Sequence, residues 1–304
     1  AAAVGFNALK ARSTEQLGNF YNYFLKSCTR ILLPLSVIVA ITIMFNGTPM
    51  TFLGKDQVIS MQGDTMHVSR GPAAAMVAIK QIGTNGGGFF GANSSVPFEN
   101  PNYLTNIIEN VSINLVPIAL VFALGFYLRK KKLAWMIYGV MTVGYLCLLI
   151  PTIYLEMNGN PMLANLGVTQ NLGSMEGKEV RFGPAASAFW AITTTVTSNG
   201  SVNAMHDSLT PLSGMFTMLG MQINALYGGV GVGFLNFFIF IIIAVFIAGL
   251  MVGRTPELLG KKVEAKEIKI AMLIFLLHPF LILIFTALAS YLIYLNPDLP
   301  WLNN

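Results

Sequence analysis

Residues 83–97 read GTNGGGFFGANSSVP, and residues 197–211 read TSNGSVNAMHDSLTP. At one offset of 114 positions, Asn85 falls on Asn199, Gly86 on Gly200, Ser94 on Ser208 and Pro97 on Pro211. Self-similarity at a fixed spacing is the signature of an internal repeat. Each copy follows a short, mainly apolar stretch opened by a Gly-Pro pair, Gly71-Pro72 and Gly183-Pro184, with Pro at the favoured first helical position. The stretch Pro72–Gly83 holds 12 residues. As a helix it would run about 18 Å against a hydrocarbon core of about 30 Å, so it can enter a bilayer without crossing it.

A bilayer is the setting that the rest of the chain demands. Of 304 residues, 18 are Lys or Arg and 13 are Asp or Glu, so 10% are charged. Ordinary soluble domains carry roughly 25%. Hydrophobic residues make up 54%, with 21 Phe and 16 Met, more apolar surface than one core could hide. This excludes a water-soluble fold, disorder and collagen-like order. Cys28 and Cys147 lack metal or redox spacing and read as small hydrophobes. The opening AAAVGF has neither an initiator Met nor a signal-peptide pattern, and the end follows an apolar stretch directly, so the expectation is a piece of a longer protein.

Charge-free gaps place the crossings. Glu109 to Arg129, Lys132 to Glu156 and Lys269 to Asp298 each leave room for the roughly 20 apolar residues of a span. Crossings are expected near 29–46, 105–128, 133–155, 234–253 and 270–295. Asp207 to Arg254 is different, because its 46 uncharged residues would make a helix of about 69 Å. It must break, and the break is expected at YGGVGVGF, Tyr227 to Phe234, where glycines remove helix propensity. Non-helical backbone at that depth is tolerable only beside protein or a water-filled path. The break reads either as close packing through small residues or as a mobile, gate-like element. With the start inside, most basic residues fall on inside segments: Lys10, Arg12, Lys26 and Arg30, then Arg129–Lys132, then Arg254, Lys261, Lys262, Lys266 and Lys269. That is the positive-inside pattern, and it brings both short Gly-Pro helices in from the outside.

The expected fold class is an all-α polytopic membrane protein, with channel-like helix–pore–helix repeats, re-entrant half-helices and extended filter loops. Residues 1–28 form the end of a first repeat and a linker, 29–132 a second repeat and 133–269 a third. Residues 270–304 hold the first helix of a fourth.

The turns suit a dehydrated monovalent cation. A filter replaces the hydration shell with backbone carbonyls, so successive residues must turn their C=O groups to one axis. Gly accepts positive φ freely and Asn tolerates it better than most residues. The expected ligands are Thr84, Asn85, Gly86 and Gly87 in one turn, and Ser198, Asn199, Gly200 and Ser201 in the other. Neither turn carries the carboxylate that a divalent ion prefers. Each half-helix points a C-terminus, worth about half a negative charge, at the same place. His206-Asp207 could suggest catalysis, but no nucleophile partner is evident, and a supporting place beside the filter is expected. Glu109 and Asn110 read as snorkelling or capping at the edge of a span. Neither GTNGGG nor GGVGVG has the Lys-Ser/Thr pair or strand context of a nucleotide-binding loop, so no bound nucleotide is expected on this chain.

GTNGGGFFGANSSVPFENP (83–101), MEGKEVRFG (175–183), TSNGSVNAMHDSLTP (197–211), YGGVGVG and AGLMVGRTPELLGKK (248–262) resemble the potassium-binding A subunits of Kdp-type potassium-transporting ATPases (KdpA), along nearly the whole chain. The resemblance implies a K+ transporter of four helix–pore–helix repeats in a bacterial plasma membrane. It implies partners, namely a P-type ATPase B subunit that hydrolyses ATP and small C and F subunits, and K+ as the transported ion, while this chain is itself non-catalytic. It places the filter on the eight residues named above and a gating break on Gly228, Gly229, Gly231 and Gly233. It also implies that the chain begins near the end of repeat one and stops in repeat four, without the first and fourth pore loops. A Trk/Ktr-type potassium channel or secondary transporter is the alternative that the repeats alone allow. No nucleic-acid partner is expected.

Overall fold

A computed structural model describes residues 2–11 and 16–295. Arg12, and the part of the expected fourth-repeat segment beyond 295, lie outside the described residues. The described chain forms two units, residues 1–234 and 235–304, each with its own packing. Among the described residues, five helices are long and apolar enough to cross a membrane.

In the first unit, α1 (Ala2–Lys10) is followed by α2 (Phe20–Ser27) and α3 (Leu33–Phe45), joined through a π-helical turn at Cys28–Leu32. The first crossing therefore begins at Phe20 instead of near 29. Pro34 explains the π turn. It has no N–H and would crowd the carbonyl four residues back, so the helix widens and the Leu33 N–H reaches Cys28 O. A two-stranded antiparallel hairpin follows, β1 (Lys55–Ile59) with β2 (Thr65–Ser69), before the short helix α4 (Ala73–Ile82).

The second crossing, α5 (Tyr103–Tyr127), opens on a capping box in which the Asn102 side chain accepts the Thr105 N–H and Thr105 Oγ1 accepts the Asn102 N–H. The third, α6 (Lys131–Met157), starts at the basic run. After α7 (Pro161–Asn165) comes the second short helix, α8 (Gly183–Val196), and then α9 (Pro211–Ile223). At ten and 14 residues, α4 and α8 reach about 15 and 21 Å, too short to cross. The core lies around them. Val77, Ala78, Ile82, Ala188, Trp190 and Ile192 are buried, while one side of α5 and of α6 stays apolar and exposed, as lipid-facing helices are.

The long uncharged stretch does break. α9 ends at Asn224 in the left-handed conformation, and α10 (Gly233–Val252) resumes nine residues on. In the second unit, α10 continues to a small hairpin, β3 (Glu257–Leu258) with β4 (Lys261–Lys262), and then α11 (Ala265–Leu295). Phe240 and Phe275 meet edge to face with centroids 5.1 Å apart.

Candidate ion-binding site

α4 and α8 end in the same way. Thr84 and Ser198 both take left-handed backbone, at φ 49° and 53°. The Asn85 N–H returns to Lys80 O at 3.0 Å and the Thr84 N–H to Gln81 O at 3.2 Å. At the equivalent positions the Asn199 N–H returns to Thr194 O at 3.0 Å and the Ser198 N–H to Thr195 O at 3.4 Å. This pair of bonds is a Schellman motif, normally closed by Gly. A hydroxyl residue stands there instead, at a local cost of about 1–2 kcal/mol for a Cβ in left-handed backbone. Gly86 and Gly200 then turn left-handed again, at φ 69° and 85°. The sequence repeat is thus a repeat of backbone geometry.

The two turns abut. A Cβ added to Gly86 would fall on the carbonyl of Asn199. Asn199 Nδ2 donates to Lys80 O at 3.4 Å and to Gln81 Oε1 at 3.2 Å, and Ser201 Oγ donates to the same Gln81 Oε1 at 3.0 Å. Since each turn directly follows its short helix, two negative helix ends meet here, an arrangement that favours a cation. Further bonds stiffen the second turn: Gly200 N–H to Thr194 Oγ1 at 3.0 Å, Ser201 N–H to Asn199 Oδ1 at 2.9 Å, and the indole of buried Trp190 to Ser201 O at 2.9 Å. Gly87, also left-handed at φ 77°, has open space around it.

The glycine-rich break lies against both turns. Thr84 Oγ1 accepts the Val230 N–H at 3.0 Å, and Ser198 Oγ donates to Asn224 Oδ1 at 2.5 Å. A Cβ on Gly229 would sit 3.3 Å from Thr197 O, and one on Gly228 would strike Gly233. Tyr227 is left-handed at φ 70°, yet its hydroxyl bonds Thr142 Oγ1 at 2.8 Å and its ring packs on Tyr138 and Tyr145. Gly231 is left-handed at φ 79° with open space around it. The break is a defined turn whose backbone packs tightly at Gly228 and Gly233.

Charged groups are buried and paired around α4 and at the end of α6. Lys80 pairs with Glu99 and donates to Asn93 Oδ1 at 3.0 Å and Ser94 Oγ at 2.8 Å. Lys178 pairs with Glu156 at 3.0 Å, with both side chains fully buried, and Glu156 also accepts the Thr210 N–H and hydroxyl. Glu109 is fully buried and bonded to Gln81 at 2.7 Å. This corrects the reading of Glu109 as an edge residue: α4 covers it. Asn110 is buried as well. Lys80 and Gln81 escaped the sequence reading, although a lysine inside a short apolar helix calls for a partner when it is buried. His206 lies just after the second turn, in a short 3-10 turn, its Nε2 buried without a hydrogen-bond partner among the described residues. Burial holds its pKa below the usual value.

Five apolar spans and two short helices ending in duplicated, touching Asn-Gly turns define a polytopic α-helical membrane protein with a paired polar site. A family model described as potassium-transporting ATPase A subunit (KdpA) matches residues 1–299, and the chain belongs to that family. It is 65% identical over 291 residues to the "potassium-transporting ATPase potassium-binding subunit" of Flavobacterium psychrophilum, covering 96% of this chain and 51% of that protein. Proteins of the same name from Phocaeicola vulgatus (58% over 310 residues, 100% and 55% covered) and Geobacillus kaustophilus (48% over 280 residues, 92% and 50%) are also similar. The chain spans about half the length of the curated relatives it matches. This membership favours the ATPase subunit over a Trk/Ktr-type channel.

Proposed function

We propose that the two turns, Thr84–Gly87 and Ser198–Ser201, supply part of the selectivity filter through which an ATP-driven complex takes up K+. The observation that carries the reading is their mutual contact: two turns, left-handed at Thr84 and Gly86 and at the equivalent Ser198 and Gly200, uncharged and rich in oxygens, meet where two helix C-termini end. In this reading α4 and α8 are re-entrant half-helices, residues 29–132 and 133–269 are two pore repeats, and the remaining filter turns come from outside this chain. Gly228, Gly229, Gly231 and Gly233 form the gate region beneath the filter, and the Thr84–Val230 bond couples the two.

The relatives' names support K+ as the transported ion and an ATPase assembly as the setting. ATP is hydrolysed on a P-type B subunit, small C and F subunits complete the complex, and the location is the bacterial inner membrane. The test is K+-stimulated ATP hydrolysis by the full-length, assembled complex in vesicles, titrated with K+, Rb+ and Na+. Stimulation by K+ at much lower concentration than by Na+ is expected. K+ uptake by the full-length subunit without any partner, driven by membrane potential alone, would overturn the reading.

A further inference from the structure

A buried polar chain runs from α5 into the second turn. Glu109 Oε2 accepts Gln81 Nε2 at 2.7 Å and Ser94 Oγ at 3.0 Å. With its Nε2 committed to the carboxylate, Gln81 presents Oε1 on the other side, where that oxygen accepts Asn199 Nδ2 at 3.2 Å and Ser201 Oγ at 3.0 Å. Gln81, Glu109 and Ser201 are all 0% exposed, so bulk water cannot replace any member of the chain. Were the amide reversed, its NH2 group would face the NH2 of Asn199 and its oxygen would face the carboxylate. Both contacts would then be repulsive. The bonds of Glu109 given above go to Gln81 and Ser94 and not to the turns, yet the oxygen it offers to Gln81 Nε2 fixes which way the intervening amide points.

We propose that Glu109 is a positioning residue for ion preference. By orienting Gln81 it sets where the Asn199–Ser201 backbone lies against the Gly86 turn. The inference rests on the reading of these turns as the K+ site. A filter discriminates by the number and field of its oxygens, so a small displacement of one turn alters the ratio between ions more than it alters folding.

The test uses the full-length assembled complex and three variants: Gln81→Glu, Glu109→Gln and the double variant. Gln81→Glu sets two carboxylates face to face, and roughly a tenfold loss of apparent K+ affinity with a changed K+/Rb+ preference is expected. Glu109→Gln keeps one acceptor oxygen but replaces the other by a donor, for which roughly a threefold change is expected. The double variant remakes the bond between positions 81 and 109 with its donor reversed, and the Ser94 hydroxyl turns from donor to acceptor toward position 109. The carboxylate introduced at 81 accepts from Asn199, Ser201 and the amide introduced at 109, so affinity and preference return to within about twofold of wild type. Assembly is followed by size-exclusion chromatography. Should Gln81→Glu fail to assemble, recovery of assembly and preference in the double variant supports the proposal equally. Wild-type K+/Rb+ preference in both single variants, or a double variant as impaired as the sum of the two, would overturn it. A wild-type complex with no K+ response would instead sink the parent reading.

Discussion

Thr84 Oγ1 accepts the backbone N–H of Val230 at 3.0 Å across 146 residues of sequence. One hydroxyl therefore satisfies the backbone of the helix break while its own residue closes the α4 turn. Thr84→Val keeps the shape and removes the acceptor, leaving an N–H unpaired at a cost of about 1–3 kcal/mol. K+-stimulated ATP hydrolysis of the full-length complex should fall sharply in Thr84→Val and stay near wild type in Thr84→Ser. Equal activity in both would mean that the bond between turn and break is incidental.

Gly86 and Gly200 are equivalent in the repeat, but their surroundings differ. Both carry positive φ, so Ala costs about 1–2 kcal/mol at either position. Only at Gly86 would the added Cβ also collide with a carbonyl, that of Asn199, whereas Gly200 faces open space. Gly86→Ala should weaken apparent K+ affinity clearly more than Gly200→Ala in a titration of ATPase stimulation. The reverse order would show that the turns do not abut in the working protein.

Lys178 and Glu156 form a fully buried pair that ties the C-terminal end of α6 to the segment before α8. Removing one partner strands a charge. Lys178→Met should lower stability by about 3–5 kcal/mol, and Lys178→Met combined with Glu156→Leu should recover much of that loss. Thermal unfolding of the detergent-solubilised complex measures both, and a double variant no better than the single would argue against the pair.

His206 supplies a pH dependence. Burial lowers its folded pKa, so the unfolded chain takes up the proton first as the pH falls. Its contribution to stability is present above its ordinary pKa of about 6.5 and is lost as the pH drops below that value toward the folded pKa. The melting temperature of the complex should decline between about pH 7 and pH 5, and His206→Gln should flatten that part of the curve. An identical slope in the variant would assign the acid sensitivity to other groups.

The sequence by itself determined what depends on length, hydropathy and local backbone preference. The five crossings follow from charge-free gaps, the two short helices from Gly-Pro pairs and too few residues to span, and the equivalence of Asn85 with Asn199 from one repeat offset. The break after α9 follows from 46 residues that no single span could hold. Such signals lie within a few turns of chain, so they survive without knowledge of the fold.

Tertiary structure decided which groups face one another. That Gln81 receives Asn199 118 positions away, that Glu109 is sealed behind α4, and that Lys178 lies beside Glu156 are outcomes of packing. Hydropathy cannot distinguish a carboxylate at a span's edge from one buried behind a neighbouring helix, because both occupy the same place in the pattern. Only the helix that covers it supplies the donors and excludes the water, and so turns Glu109 from a rim charge into a fixed hydrogen-bond acceptor.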